Sequence, residues 1–223
     1  MAAKTSKRKK AAGKKAADKM TVSEKPLSNK PVSQGLADRK IYFVTGNINK
    51  LEEIKKILSD FDLEQIDLDL PELQGEPEDI AMEKARIACE RTGKTVFVDD
   101  TCLVFEAWNG LPGPYVKHFL DKLGVPGLYK MLEPYDNKRA YAQATIGYCA
   151  PGKEPLAFIG RVDGSIVPPA GESGFRFDKI FKPDGHDRRF SEMTMEEKNE
   201  ISHRRRSAEA FKEWLEGNRK DND

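Results

Sequence analysis

The chain reads as an α/β protein, on three observations. A short apolar run, Ile41-Tyr42-Phe43-Val44, halts at Gly46-Asn47 and is followed by Leu51, Ile54, Ile57 and Leu58 at helical spacing. A helical pattern over residues 79–92 leads through Gly93 into a second apolar run at 95–98. Two long strand-like stretches, 139–150 and 156–167, are separated by a Pro-Gly turn and predict a hairpin.

The elements follow in order. Residues 41–44 are strand formers, and the charges between Leu51, Ile54, Ile57 and Leu58 mark an amphipathic helix. Residues 63–70 alternate apolar and polar, as a half-buried strand does. Gly93 stands where a left-handed cap ends the 79–92 helix. The strand at 95–98 is expected to run out at Asp99-Asp100. Residues 109–114 form a Gly/Pro loop, and 115–123 a helix with Val116, Phe119, Leu120 and Leu123 on one face. Pro126 suits the first turn of another short helix ending near Leu132. After the hairpin, 168–189 is a long, turn-rich stretch, of the kind that often carries function. Ser202 caps a closing helix to about Leu215, packed through Ala208, Phe211, Trp214 and Leu215.

Composition bounds the rest. With 223 residues the chain accommodates one domain and a tail. Residues 1–40 carry 12 basic and 3 acidic groups, net +9, whereas residues 41–223 carry 26 and 34, net −8. Residues 1–38 lack large apolar side chains and are expected to be disordered; residues 39–223 form the folded domain. Lys7-Arg8-Lys9-Lys10 suits a nuclear address, a polyanion contact or simply a solvated tail. Cys89, Cys102 and Cys149 are odd in number and lack Cys-x-x-Cys spacing, which argues against disulfides or a zinc site and for a reducing, cytoplasmic setting. No apolar run approaches bilayer length, and no secretory signal opens the chain. No His-x-x-x-His pair or Cys–His partnership stands out, which argues against a zinc hydrolase or a cysteine nucleophile.

Five segments carry candidate chemistry. Thr45-Gly46-Asn47-Ile48-Asn49-Lys50 places a glycine after a strand and a lysine at a helix start, which suits a phosphate cradle, although an ordinary turn reads the same way. Glu72 and Glu76 lie in a Pro/Gly-rich turn. Asp99-Asp100-Thr101, at an expected strand end, suits a hard divalent ion such as Mg²⁺. Gly174-Phe175-Arg176-Phe177-Asp178 offers aromatics either to a base or to the core. Lys198 and Ser202-His203-Arg204 offer donors for phosphate or a carbonyl oxygen, or form a plain charged helix face.

The order of these blocks carries more than any one of them. Phe43-Val44-Thr45-Gly46-Asn47 with Lys50-Leu51-Glu52-Glu53, Leu70-Pro71-Glu72 with Gln74-Gly75-Glu76-Pro77, Val98-Asp99-Asp100-Thr101-Cys102-Leu103, Gly110-Leu111-Pro112-Gly113-Pro114-Tyr115, the 175–178 loop and Glu197-Lys198-Asn199 with Ser202-His203-Arg204 run in sequence. Over about residues 40–215 this closely resembles the inosine triphosphate pyrophosphatase family. The resemblance implies an elongated mixed twisted sheet flanked by helices, in two lobes with a substrate cleft between them. It implies a homodimer that needs Mg²⁺, with Mn²⁺ as a substitute, and needs neither membrane nor nucleic acid. Its substrates would be purine nucleoside triphosphates such as ITP, dITP and XTP, cleaved to the monophosphate and pyrophosphate. That would keep non-standard purines out of DNA and RNA.

By matching position, Thr45, Gly46, Asn47, Ile48, Asn49 and Lys50 would line the triphosphate, with Lys84, Lys117 and Lys198 as phosphate-binding lysines. Glu72 and Asp100 match metal-binding carboxylates, Asp100 also the general base, with Thr101 beside it. Phe175, Arg176, Phe177 and Asp178 match the base-binding loop, and His203 and Arg204 the last nucleotide contact. Stacking by Phe175 and Phe177 and donation from Arg204 to O6 would favour a 6-oxopurine over adenine. Arg176 stands where the family usually has glycine, so a left-handed backbone there would be strained. Other readings are a phosphatase releasing orthophosphate, a nucleic-acid module led by the basic tail, and a silent nucleotide sensor.

Overall fold

The computed structural model describes residues 40–171 and 176–220. The expected disordered extension, residues 1–38, and Phe175 lie outside them. Strand β1 (Ile41–Val44) passes through the Gly46-Asn47 turn into helix α1 (Ile48–Ile57), then β2 (Leu63–Ile66) and α2 (Pro77–Thr92). Then come β3 (Val96–Phe105), β4 (Pro112–Gly113), α3 (Val116–Leu132), β5 (Arg139–Cys149), β6 (Leu156–Ile166), β7 (Phe181–Pro183), α4 (Met195–Ile201) and α5 (His203–Lys220). The caps follow the expected chemistry: Gly93 (φ 65°) closes α2 by donating to Cys89 O, and Ser202 Oγ accepts from Arg205 N.

The strands form one mixed sheet in the order β2-β1-β3-β5-β6-β7, with β4 attached to β3. β1 is parallel to β2 and β3, and the other pairs are antiparallel. The register positions the site. β1 pairs with β3 only through Tyr42–Val96 and Phe43–Phe97, whereas β3 pairs with β5 from Val96 to Phe105. β4 meets β3 again only at Leu103 and Val104. Between these contacts, the edge of β3 around Asp99–Cys102 has no strand partner on that side among the described residues.

Packing anchors the surroundings of this gap. Phe43 and Phe97 stack at 4.6 Å, and Phe211 of α5 leans on Phe97 at 5.2 Å. A separate cluster joins Phe105, Leu128, Phe181 and Phe190. Two glycines admit the flanking helices. A Cβ at Gly147 would lie 2.1 Å from Ala81 O of α2, and one at Gly160 would lie 2.1 Å from His203 O of α5.

Several expectations need correction. β2 stops at Ile66 rather than Leu70. β3 does not end at Val98; it carries Asp99 and Asp100 in mid-strand, because Thr101 to Phe105 continue the pairing with β5. The two helices expected over 115–132, by contrast, do form: α3 is two helical stretches that meet at a non-helical Gly124 (φ 65°, ψ 175°), just before Pro126. The turn-rich stretch contains β7, and α4 forms on a Thr194 capping box. No described helix is long and apolar enough to cross a membrane.

Candidate active site

A cavity of about 310 Å³ opens beside the unpaired edge of β3. Of its charged lining, six side chains are basic (Lys50, Lys84, Lys117, Arg176, Lys198 and Arg204) and three acidic (Glu72, Asp100 and Asp178). Within an acidic domain, the side chains that line this cavity thus carry a net positive charge.

The β1–α1 turn builds one end. Thr45 Oγ1 accepts from Asn47 N at 3.1 Å, and Asn47 Oδ1 caps α1 by accepting from Asn49 N at 3.0 Å and Lys50 N at 3.3 Å. The cap of the helix itself thus engages these two amides. Thr45, Gly46, Asn47 and Lys50 line the cavity, whereas Ile48 and Asn49 are exposed and do not. Lys50, in the first turn, reaches β3 and donates to Asp99 O at 2.5 Å, with Asp99 Oδ2 at 2.8 Å.

Alternation along β3 sends the two aspartates to opposite sides. Asp99 is inward, its carboxylate fully buried. Burial alone would raise its pKa, but Arg204 and Lys50 outweigh it and hold the carboxyl below its ordinary value. Asp100 faces the cavity, where Lys84 Nζ donates to its Oδ1 at 3.0 Å. Its Oδ2 is buried without a hydrogen-bond partner. Glu72, from the loop before α2, accepts from Lys117 of α3 and from Lys84 at 3.5 Å. The Lys117 bond outweighs partial burial and, with Lys84, holds the Glu72 carboxyl below its usual range. Lys84 is held above its ordinary value: burial opposes its charge, but Asp100 and Glu72 more than compensate.

These carboxylates fit a divalent ion. Glu72 and Asp100 share one lysine, and Asp100 Oδ2 is a desolvated oxygen with no donor. No cluster of three or more His, Cys, Asp or Glu suited to a metal exists among the described residues. Two hard carboxylates, completed by water and substrate oxygens, are the usual way Mg²⁺ is bound. Cys102 also lines the cavity, but burial and the charge of Asp100 push its thiol up to about 12, so it is no nucleophile.

The far wall comes from the 176–179 turn and from α4 and α5. Lys198 Nζ donates to Asp178 Oδ2 at 2.7 Å and lies 3.8 Å from Glu53 Oε1. Arg204 donates through Nη1 to Glu53 Oε2 at 2.5 Å, through Nε and Nη2 to Asp99 Oδ2 at 3.3 Å, and through Nη2 to Thr101 Oγ1 at 3.1 Å. Its fork is thus engaged by Glu53, Asp99 and Thr101, with one Nη1 hydrogen left over. Phe177 lines the cavity but is buried, with its ring edge-on to Phe181 at 6.5 Å and 6.0 Å from His203. Burial, then the charges of Arg204 and Lys198, drive His203 well below its ordinary value, so it is neutral, and its Nδ1 has no partner. Arg176 does adopt the left-handed backbone, at φ 54°. Glu53, buried at 6% exposure, stands in the Lys50–Glu53 block that the sequence singled out, but the sequence assigned it no role.

The model of the Ham1 family matches residues 41–214. Proteins named inosine triphosphate pyrophosphatase from Schizosaccharomyces pombe and Tuber melanosporum are 46% identical over 180 residues and 49% over 179, covering 80% and 79% of this chain and 96% of each relative.

The chain belongs to the Ham1 family.

A solved HAM1 protein from Coxiella burnetii is 28% identical, superposes with a TM-score of 0.73, and covers 80% of this chain and 98% of its own. This Ham1-family chain shares with it the α/β fold of a mixed sheet flanked by helices.

Proposed function

We propose that the chain hydrolyses purine nucleoside triphosphates with a 6-oxo base (ITP, dITP and XTP) to the monophosphate and pyrophosphate, in a site that holds a divalent cation. One observation carries the reading. Lysines from four helices converge on Glu72, Asp100, Asp99 and Asp178 around one cavity. Its net positive wall suits a polyanion that the net −8 domain would otherwise repel.

Lys50, Lys84 and Lys117 hold the phosphate chain by exchanging carboxylate partners for phosphate oxygens. Asp100, which faces the cavity, is the carboxylate that would take a proton from the attacking water. Glu72 and Asp100 are the residues that would hold Mg²⁺ or Mn²⁺, whose chemistry is to neutralise phosphate charge and acidify a water. Arg204, through its remaining hydrogen, and neutral His203 face the base. A purine that offers an acceptor at position 6 is matched by the Arg204 donor, and the amino group of adenine is not; neutral His203, which can accept as well as donate, adds no discrimination by itself. We include in the proposal a homodimer and a cytoplasmic location, with nuclear entry through the basic run at residues 7–10.

A substrate panel tests the reading. With Mg²⁺, ITP, dITP and XTP are expected to release pyrophosphate well ahead of ATP. Release of orthophosphate, or ATP cleaved as fast as ITP, would overturn it. Hydrolysis in isotopically labelled water tells attack at the α phosphorus from attack at the β phosphorus.

A further inference from the structure

We propose that Arg176 is an additional triphosphate-binding residue, held aside by Asp121 until the polyphosphate arrives. This rests on the nucleotide reading above and adds a contact to the same site. Among the described residues, two non-glycine residues have positive φ, Asn109 at 50° and Arg176 at 54°. Asparagine adopts that conformation readily, whereas arginine gains nothing from it. A long cationic side chain kept at a glycine-favouring angle points to a use for the side chain.

The surroundings indicate which use. Arg176 lines the cavity, as does Lys117 at the start of α3. Its guanidinium donates through Nη1 to Asp121 Oδ1 at 3.2 Å. Asp121 lies four residues beyond Lys117 on α3, one turn along the same face. Arg176 therefore stands over the wall that carries a phosphate-binding lysine. The Asp121 pair is partly exposed, with side chains 34% and 53% accessible, and such pairs are weak. A triphosphate brings several charges and fits the guanidinium fork at two points. Exchange of Asp121 for phosphate follows, as at the Lys84 and Lys117 carboxylate pairs.

Calorimetric titration of the full chain with inorganic triphosphate tests this without relying on turnover. Arg176→Gly is expected to bind about tenfold more weakly, as loss of a charge-assisted contact implies. Arg176→Lys should recover part of that loss. Asp121→Asn is expected to bind roughly two- to fivefold more tightly, because it removes a weak competitor. With ITP as substrate, Arg176→Gly should raise KM by a similar factor and leave kcat nearly unchanged. Its melting temperature should equal or exceed that of the wild type, since glycine relieves the backbone.

Unchanged triphosphate affinity in Arg176→Gly would overturn the proposal. So would weaker binding in Asp121→Asn, which would make the pair a structural tether. A shifted ITP-to-ATP ratio with unaltered triphosphate affinity would assign Arg176 to the base and overturn it too. Wild-type protein that shows the expected affinities yet releases no pyrophosphate from ITP would support the contact and refute the enzymatic reading.

Discussion

Asp99→Asn removes one charge at almost constant volume from the point where Lys50 Nζ approaches to 2.8 Å and Arg204 to 3.3 Å. The carboxylate it replaces is wholly buried. Stranding the partners of a buried charge costs about 3–5 kcal/mol. Arg204 keeps Glu53, and Lys50 keeps the Asp99 carbonyl, so the lower end applies, about 3 kcal/mol. At roughly 2–4 °C per kcal/mol for a domain of this size, the melting temperature should fall by about 6–12 °C. The variant still folds, because native stabilities run to about 5–15 kcal/mol. The neighbouring Asp100→Asn should lose no more than about 1 kcal/mol, since Asp100 is partly exposed and Lys84 retains Glu72. Urea and thermal unfolding followed by circular dichroism at pH 7 compare the two. Equal losses, or an Asp99→Asn variant within about 1 kcal/mol of wild type, would refute the division of labour between these adjacent residues.

Other predictions follow from the same geometry. His203 is buried and neutral, with its pKa depressed, so the unfolded chain binds a proton that the folded one refuses. Stability from this group is therefore full above pH 6.5 and declines below it, by up to about 1.4 kcal/mol per pH unit. His203→Gln should flatten that slope between pH 6.5 and 5; an unaltered slope would count against it. The depressed carboxyl of Asp99 acts lower, its contribution being present above about pH 3.8 and lost as pH falls through the folded value, and Asp99→Asn should erase this second acid limb. Gly147→Ala sets a Cβ 2.1 Å from Ala81 O and should destabilise by about 1–3 kcal/mol or more, with ITP selectivity unchanged in whatever protein folds.

Much of this molecule was legible in its sequence, and the failures have physical causes. β1, α1, α2 and the β5–β6 hairpin follow from apolar spacing and from caps such as Gly93, both local signals. β3 did not, because paired aspartates resemble a strand end. In fact Asp99 is neutralised by Lys50 and Arg204, the latter from 105 residues away, and Asp100 borders a gap that β1 leaves by stopping at Val44. α4, at seven residues, is too short for periodicity to reveal. Glu53 stood in a recognisable block, but its role was not legible because its partner Arg204 lies 151 residues on. The blocks that line the cavity were recognisable by their order, but what each side chain does there was not. Arg204 looked like a free donor and proved to be a member of a buried cluster. Asn47, in a segment that suited a phosphate cradle or an ordinary turn, caps its own helix.

The most direct measurement is pyrophosphate release from ITP by wild type and Asp100→Asn, on folded protein with Mg²⁺ present. The account predicts rapid release by the wild type and none detectable from the variant, with the variant still binding inorganic triphosphate. A variant turning over near the wild-type rate would show that the Asp100 carboxylate is not the group on which the chemistry turns.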